Sequence, residues 1–165
     1  MSEKTESEPI IDREQMMEPM LVACPSFEPH WREFLSEWVG NPILFEDDGN
    51  GDLPIYLALS DLANHLIEKL ESGDTDNFPA IFEVVEDWNV RGEHYVAEAA
   101  TIGLIEDLTN KHRYRRLKPE AFLPWLGPES ADSWYAVIAF WERLDRDRSL
   151  LDRVKDKLFS LFSPR

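Results

Sequence analysis

The sequence predicts an all-α fold, a single-domain helical bundle of about six to seven helices, with a short HEAT/armadillo-like stack as the alternative arrangement. Three observations carry this. Apolar residues recur at helical spacing nearly throughout. No run of four to eight residues alternates in the strand pattern, and β-branched residues are few. Gly, Asn and Pro punctuate the chain at intervals of one helix and its turn. No repeat of fixed period is visible, so the bundle is the preferred arrangement. The 165 residues fit one domain, and 43% hydrophobic content with 6 Trp and 9 Phe is enough for a sizeable core.

The first dozen residues are polar and predict a disordered N-terminus over 1–12, ahead of a helical domain over 13–144. Ser26 is placed to cap a helix running to Trp38, whose Trp31, Phe34, Leu35 and Trp38 share a face; Gly40 suits its left-handed exit. Asn41 to Asp52 reads as a loop. The next helix starts near Pro54 and carries Leu59, Leu62, Ala63, Leu66, Ile67 and Leu70 on one stripe before Ser72-Gly73-Asp74 ends it. A third places Phe78, Ile81, Phe82, Val85 and Trp88 inward, and Asn89 to Gly92 reads as a turn. The helix from Glu93 to about Asn110 is apolar or small around most of its circumference, which predicts enclosure by neighbours. Gly103 within it costs about 1 kcal/mol relative to Ala, and the expected compensation is close approach of another helix.

Beyond it, Pro119 and Pro124 leave room for a short helical turn around Ala121 to Leu123, and Gly127-Pro128-Glu129 opens a further helix. Its expected inner stripe is Trp134, Val137, Ile138, Trp141 and Leu144. Asp145 to Arg148 reads as a polar interruption. Residues 145–165 form a basic amphipathic C-terminal helix, with Leu151, Val154, Leu158 and Leu161 on one stripe beside Phe159 and Phe162. Whether it continues the preceding helix or turns back is open at this level.

The net charge of −16 is unevenly spread. Residues 1–110 carry 25 acids against 5 Lys and Arg; residues 111–165 carry 8 acids against 12. Direct nucleic-acid binding by the first part is disfavoured, because it needs cations to displace counterions. An acidic surface favours basic protein partners, or serves solubility alone. The five Lys and Arg between Lys111 and Lys118 read as pairing with the protein's own acids, or as solvating a loop, rather than as a nucleic-acid or phosphate patch. A lone Cys24, the absence of a secretory leader pattern and the absence of a long apolar stretch predict a cytoplasmic protein with no membrane span.

No catalytic motif is present. Asp47-Asp48-Gly49-Asn50-Gly51-Asp52 fails as a calcium loop, because positions 6 and 12 fall on Leu53 and Leu59. Asp61 and His65, and His94 and Glu98, are i,i+4 pairs from which a metal-dependent enzyme site could be built; helix-surface bonds are the simpler reading. No cofactor is expected. The candidate binding face comprises Glu83, Glu86, Asp87, Glu93, Glu98 and Glu106, with the loop residue Trp125 as an aromatic anchor or a cap on the core.

The runs Tyr56-Leu57-Ala58-Leu59-Ser60-Asp61-Leu62, Gly92 through Glu106, and Phe122-Leu123-Pro124-Trp125-Leu126-Gly127-Pro128-Glu129-Ser130 resemble an uncharacterised bacterial family of small acidic helical proteins, a domain of unknown function. The resemblance covers roughly residues 30–142. Such proteins look similar to immunity proteins of toxin systems, which implies a non-enzymatic inhibitor that docks an acidic face on a basic toxin. A self-associating scaffold, its basic tail docked on the acidic body of another copy, is a further alternative.

Overall fold

The computed structural model describes residues 10–162, with side chains through Lys157. Most of the expected disordered N-terminus, residues 1–9, lies outside the described residues. At 10–12 the chain is already fastened: Ile11 forms an isolated parallel bridge to Gly92, donating to the Arg91 carbonyl at 2.8 Å and accepting from Glu93 N–H at 2.9 Å. Arg13 continues the attachment. Its guanidinium bonds Asp52 and the Leu53 carbonyl and lies 4.0 Å over the Tyr95 ring.

Seven α-helices follow among the described residues: α1 Met17–Ala23, α2 Glu28–Trp38, α3 Ile55–Ser72, α4 Phe78–Arg91, α5 His94–Glu98, α6 Glu106–Thr109 and α7 Pro128–Phe162. No strand accompanies them among the described residues. Sequence reasoning missed α1. Its spacing of Met16, Met17, Met20 and Cys24 is helical, and all four are buried. Trp88 Nε1 donates to the Met16 carbonyl at 3.0 Å, which locks α1 onto α4.

The core follows the predicted stripes closely in the middle of the chain. All six apolar stripe residues of α3 and all five of α4 are buried. Phe78, Phe82 and Phe122 pack into one aromatic group, with ring centroids 5.6–5.7 Å apart. Gly73 ends α3 in the left-handed conformation at φ 77°.

Several boundaries differ from expectation, each for an identifiable reason. Ser26 does not cap α2; it lies in the 3-10 turn Pro25–Phe27, and its hydroxyl is bonded to His65. The expected turn at Asn89 to Gly92 begins only at Gly92, because α4 runs on to Arg91. The helix predicted from Glu93 is continuous in direction but changes winding: Ala99–Ile105 between α5 and α6 is π-helical. A Cβ on Gly103 in that segment would stand 2.9 Å from Leu59 Cδ1 and 3.3 Å from Tyr56 Cδ1, so α3 does approach closely there. The enclosure is incomplete, since Ile102 is half exposed.

The largest departure is at the end. Asp145 to Arg148 does not interrupt anything: α7 is one helix of 35 residues, about 52 Å long. Only its start packs on the body. Trp134 is buried, Val137 and Ile138 are half-buried, but Trp141 and Leu144, expected to point inward, are exposed. The stripe is real, but the body ends before it does. Of the last predicted stripe, Leu151 and Val154 are exposed; Leu158, Phe159, Leu161 and Phe162 lie outside the described side chains.

Candidate functional site

The inward side of α1 is committed to Trp88 and the core, so its outward side, Pro19, Val22 and Ala23, faces solvent beside the outer surface of α4. Between them lies an open groove of roughly 580 Å³. Its apolar wall is completed by Ala80 and Val84 of α4 and by Pro25. Glu83 and Asp87, one turn apart, line the same groove. Val22 is 77% exposed, the most exposed large apolar side chain described.

The predicted acids do not form a single face. Glu83 and Asp87 share the groove, and Asp87 also pairs with Arg91 at 2.9 Å. Glu86 points the other way, into the first turn of α7. It accepts Glu129 N–H at 2.8 Å, Ser130 N–H at 2.9 Å and the Ser130 hydroxyl at 2.7 Å. Burial pushes its carboxyl up, but those donors, the Ser130 hydroxyl first, outweigh burial and its pKa is lowered. Glu93 accepts the Arg13 N–H at 2.9 Å. Glu98 accepts the Tyr56 hydroxyl at 2.8 Å and lies 3.4 Å from His94; burial, then the Glu98 bond, push the Tyr56 pKa up to about 12. Glu106 is half-buried, and burial followed by the Asp107 charge raises its carboxyl. Trp125 packs edge-on against Phe78 at 4.9 Å and covers the core.

Part of the basic run is internally engaged, through the Arg113 and Arg116 side chains and through its backbone. Arg115, Arg116 and Leu117 aim three consecutive N–H groups at one Glu71 oxygen, at 2.8, 2.8 and 3.2 Å. The Arg116 N–H leads in lowering the Glu71 pKa, and the Leu117 and Arg115 N–H groups add to it against desolvation. Arg113 pairs with Asp107 at 2.8 Å and bonds Ser60 and Asn64. Arg113, Arg115 and Arg116 line a cavity of roughly 340 Å³ together with Glu68 and Glu71.

Asp61, His65, His94 and Glu98 are not brought together. Glu98 touches Tyr56, nine residues before His65 on α3, or about 13 Å along that helix. His65 instead bonds the Ser26 hydroxyl at 2.8 Å and stands 5.2 Å, centroid to centroid, from His30. Burial, then His30 and Lys69, lower the His65 pKa. Among the described residues no three His, Cys, Asp or Glu side chains are grouped to hold a metal ion. No helix among them is long and apolar enough to cross a membrane.

A family model described as a domain of unknown function matches residues 17–142. No curated protein and no solved structure gives a match.

Proposed function

The chain belongs to that family, DUF7674, and from this premise we propose that it is a non-enzymatic protein-binding module whose α1/α4 groove receives a basic, apolar-faced segment of another protein. The observation that carries the proposal is the pairing of an open apolar wall (Val22, Ala80, Val84) with Glu83 and Asp87 in one groove. The apolar wall supplies the desolvated contact. The carboxylates select for cations, and the 25 acids of residues 1–110 speed the encounter. In its sharpest form, suggested by the likeness to immunity proteins, the partner is a basic toxin and the module is its inhibitor.

A synthetic amphipathic Leu/Lys helix of about 18 residues tests the chemistry directly. The expected result is saturable binding that weakens as salt rises from ~0.05 to ~0.5 M, because screening shortens to a few ångströms. Charge reversal of both Glu83 and Asp87 to Lys weakens it about tenfold. A peptide with Glu in place of Lys does not bind. Absence of binding to the Lys peptide, or full affinity in Val84→Asp, overturns the proposal.

A further inference from the structure

We propose that the cleft between the N-terminal segment, Trp31 of α2 and the turn before α3 binds a small organic cation, a guanidinium or ammonium group on an apolar stem. The cleft holds roughly 570 Å³ and is less open than the α1/α4 groove, with which it shares no residue. That volume lies within the ~300–1,000 Å³ of small-molecule sites. Separate parts of the chain wall it: Asp12 to Glu14, Met17 of α1, Trp31, and Gly51 to Leu53. Arg13 draws two of these walls together, since its guanidinium bonds both Asp52 and the Leu53 carbonyl.

The aromatic floor identifies the ligand's chemistry. The Trp31 indole lies near-parallel to the buried Phe34 ring, with centroids 5.2 Å apart. The core thus takes one face, and the half-buried remainder lines the cleft with Met17, Leu53 and Ile55. An indole is the aromatic ring that best attracts a cation, and the apolar neighbours suit a hydrocarbon stem. The charges agree. Asp12, Glu14, Asp52 and Glu93 line the cleft against the single guanidinium of Arg13, which leaves it negative. Arg13 has no call on an anion, because it is already held by Asp52 at 3.1 Å and the Leu53 carbonyl at 2.7 Å. Asp12 accepts the Gln15 N–H and Glu93 the Arg13 N–H, whereas Glu14 is exposed and makes no hydrogen bond or ion pair among the described residues. Arg13 over the Tyr95 ring at 4.0 Å is the same recognition made within the chain, beside the cleft. A metal ion needs ligands grouped at one point, and among the described residues no three His, Cys, Asp or Glu are so grouped.

Butylguanidinium titrated into the isotope-labelled full chain tests this, read on the Trp31 indole N–H resonance, which Trp31→Leu identifies by its loss. The expected result is a saturable shift with a Kd at or below ~1 mM. Butylammonium should behave alike, while butylurea, of similar shape and no charge, should not bind. Glu14→Gln should weaken binding about threefold, as suits an exposed carboxylate. Trp31→Leu, followed on the ligand's own resonances, should weaken it about tenfold. A capped Gly-Arg-Gly peptide assigns the source: the cation is a free small molecule if the peptide binds at least about tenfold more weakly, and another protein's arginine if it binds equally. No saturable shift up to ~10 mM, equal binding of butylurea, or full affinity in both Glu14→Gln and Trp31→Leu overturns the proposal. Circular dichroism on each variant separates lost binding from lost folding. Reversing Glu83 and Asp87 to Lys in the α1/α4 groove should leave butylguanidinium binding unchanged at ~0.15 M salt, so this proposal and the preceding one fail separately.

Discussion

The Glu86 carboxylate accepts both the backbone N–H and the hydroxyl of Ser130, at 2.9 and 2.7 Å, and so ties the middle of α4 to the first turn of α7. The orphan N–H groups at a helix start need acceptors, and a carboxylate there also meets the positive end of the helix dipole. Replacing Glu86 with Gln keeps the shape but loses the charge and one acceptor. We expect a loss of about 1–2 kcal/mol, read as a lower midpoint in urea with an unchanged slope.

Gly127 makes room for that carboxylate. A Cβ there would stand 2.4 Å from Glu86 Cδ, so Gly127→Ala must displace it. Gly127→Ala and truncation of Glu86 should therefore be non-additive. In a double-mutant cycle, Gly127→Ala should cost about 1–2 kcal/mol in the native background and much less in Glu86→Ala, where no side chain stands in the way. Equal costs in both backgrounds would disconnect the glycine from the cap.

Acid should weaken the fold in two stages. His65 has a pKa below its ordinary 6.5, so the unfolded chain takes up that proton first. Stability is lost as pH falls from 6.5 toward the folded value. Glu86 and Glu71 have pKa values below 4.5, so their contribution is complete above 4.5 and is lost below it. Thermal melts should be level between about pH 7 and 9, and fall through both windows as the pH drops. His65→Gln should remove the upper step alone.

The latch on the basic run should be visible to trypsin. With Glu71 in place, three backbone N–H groups hold 115–117 against α3. Glu71→Ala should speed cleavage after Arg115 and Arg116 several-fold at temperatures well below unfolding, because local opening limits such cuts. An unchanged cleavage rate would mean that other contacts fix this segment.

Trp125 separates packing from recognition. Its edge-on contact with Phe78 predicts that Trp125→Ala costs about 1–3 kcal/mol in stability and leaves binding of the Leu/Lys peptide unchanged in the folded protein.

What the sequence disclosed and what it concealed divide along a physical line. Stripes that meet a neighbour inside the same chain were legible: those of α3 and α4 appear as read, because apolar periodicity encodes burial. The close approach at Gly103 was legible for the same reason. The outer stripe of α7 has the same periodicity but is left exposed among the described residues, so Trp141 and Leu144 state an appetite for a surface without naming which one supplies it. The acids were the hardest to place. Glu83 and Glu86 are three residues apart with one charge, yet one lines a groove and the other caps a helix 43 residues later. Only the path of the chain between them decides that. The groove itself was hidden because α1 is seven residues long, with Met as its main apolar signal.

The continuity of α7 has a mechanical consequence. A helix without a joint fixes phase as well as direction: each inserted residue turns everything beyond it by about 100° and advances it 1.5 Å. The family domain thus sets the heading of the appended segment through Glu86 and Trp134, tens of ångströms from its tip. Two residues inserted after Glu142 would swing the apolar stripe to about the opposite side while leaving every residue of both parts unaltered.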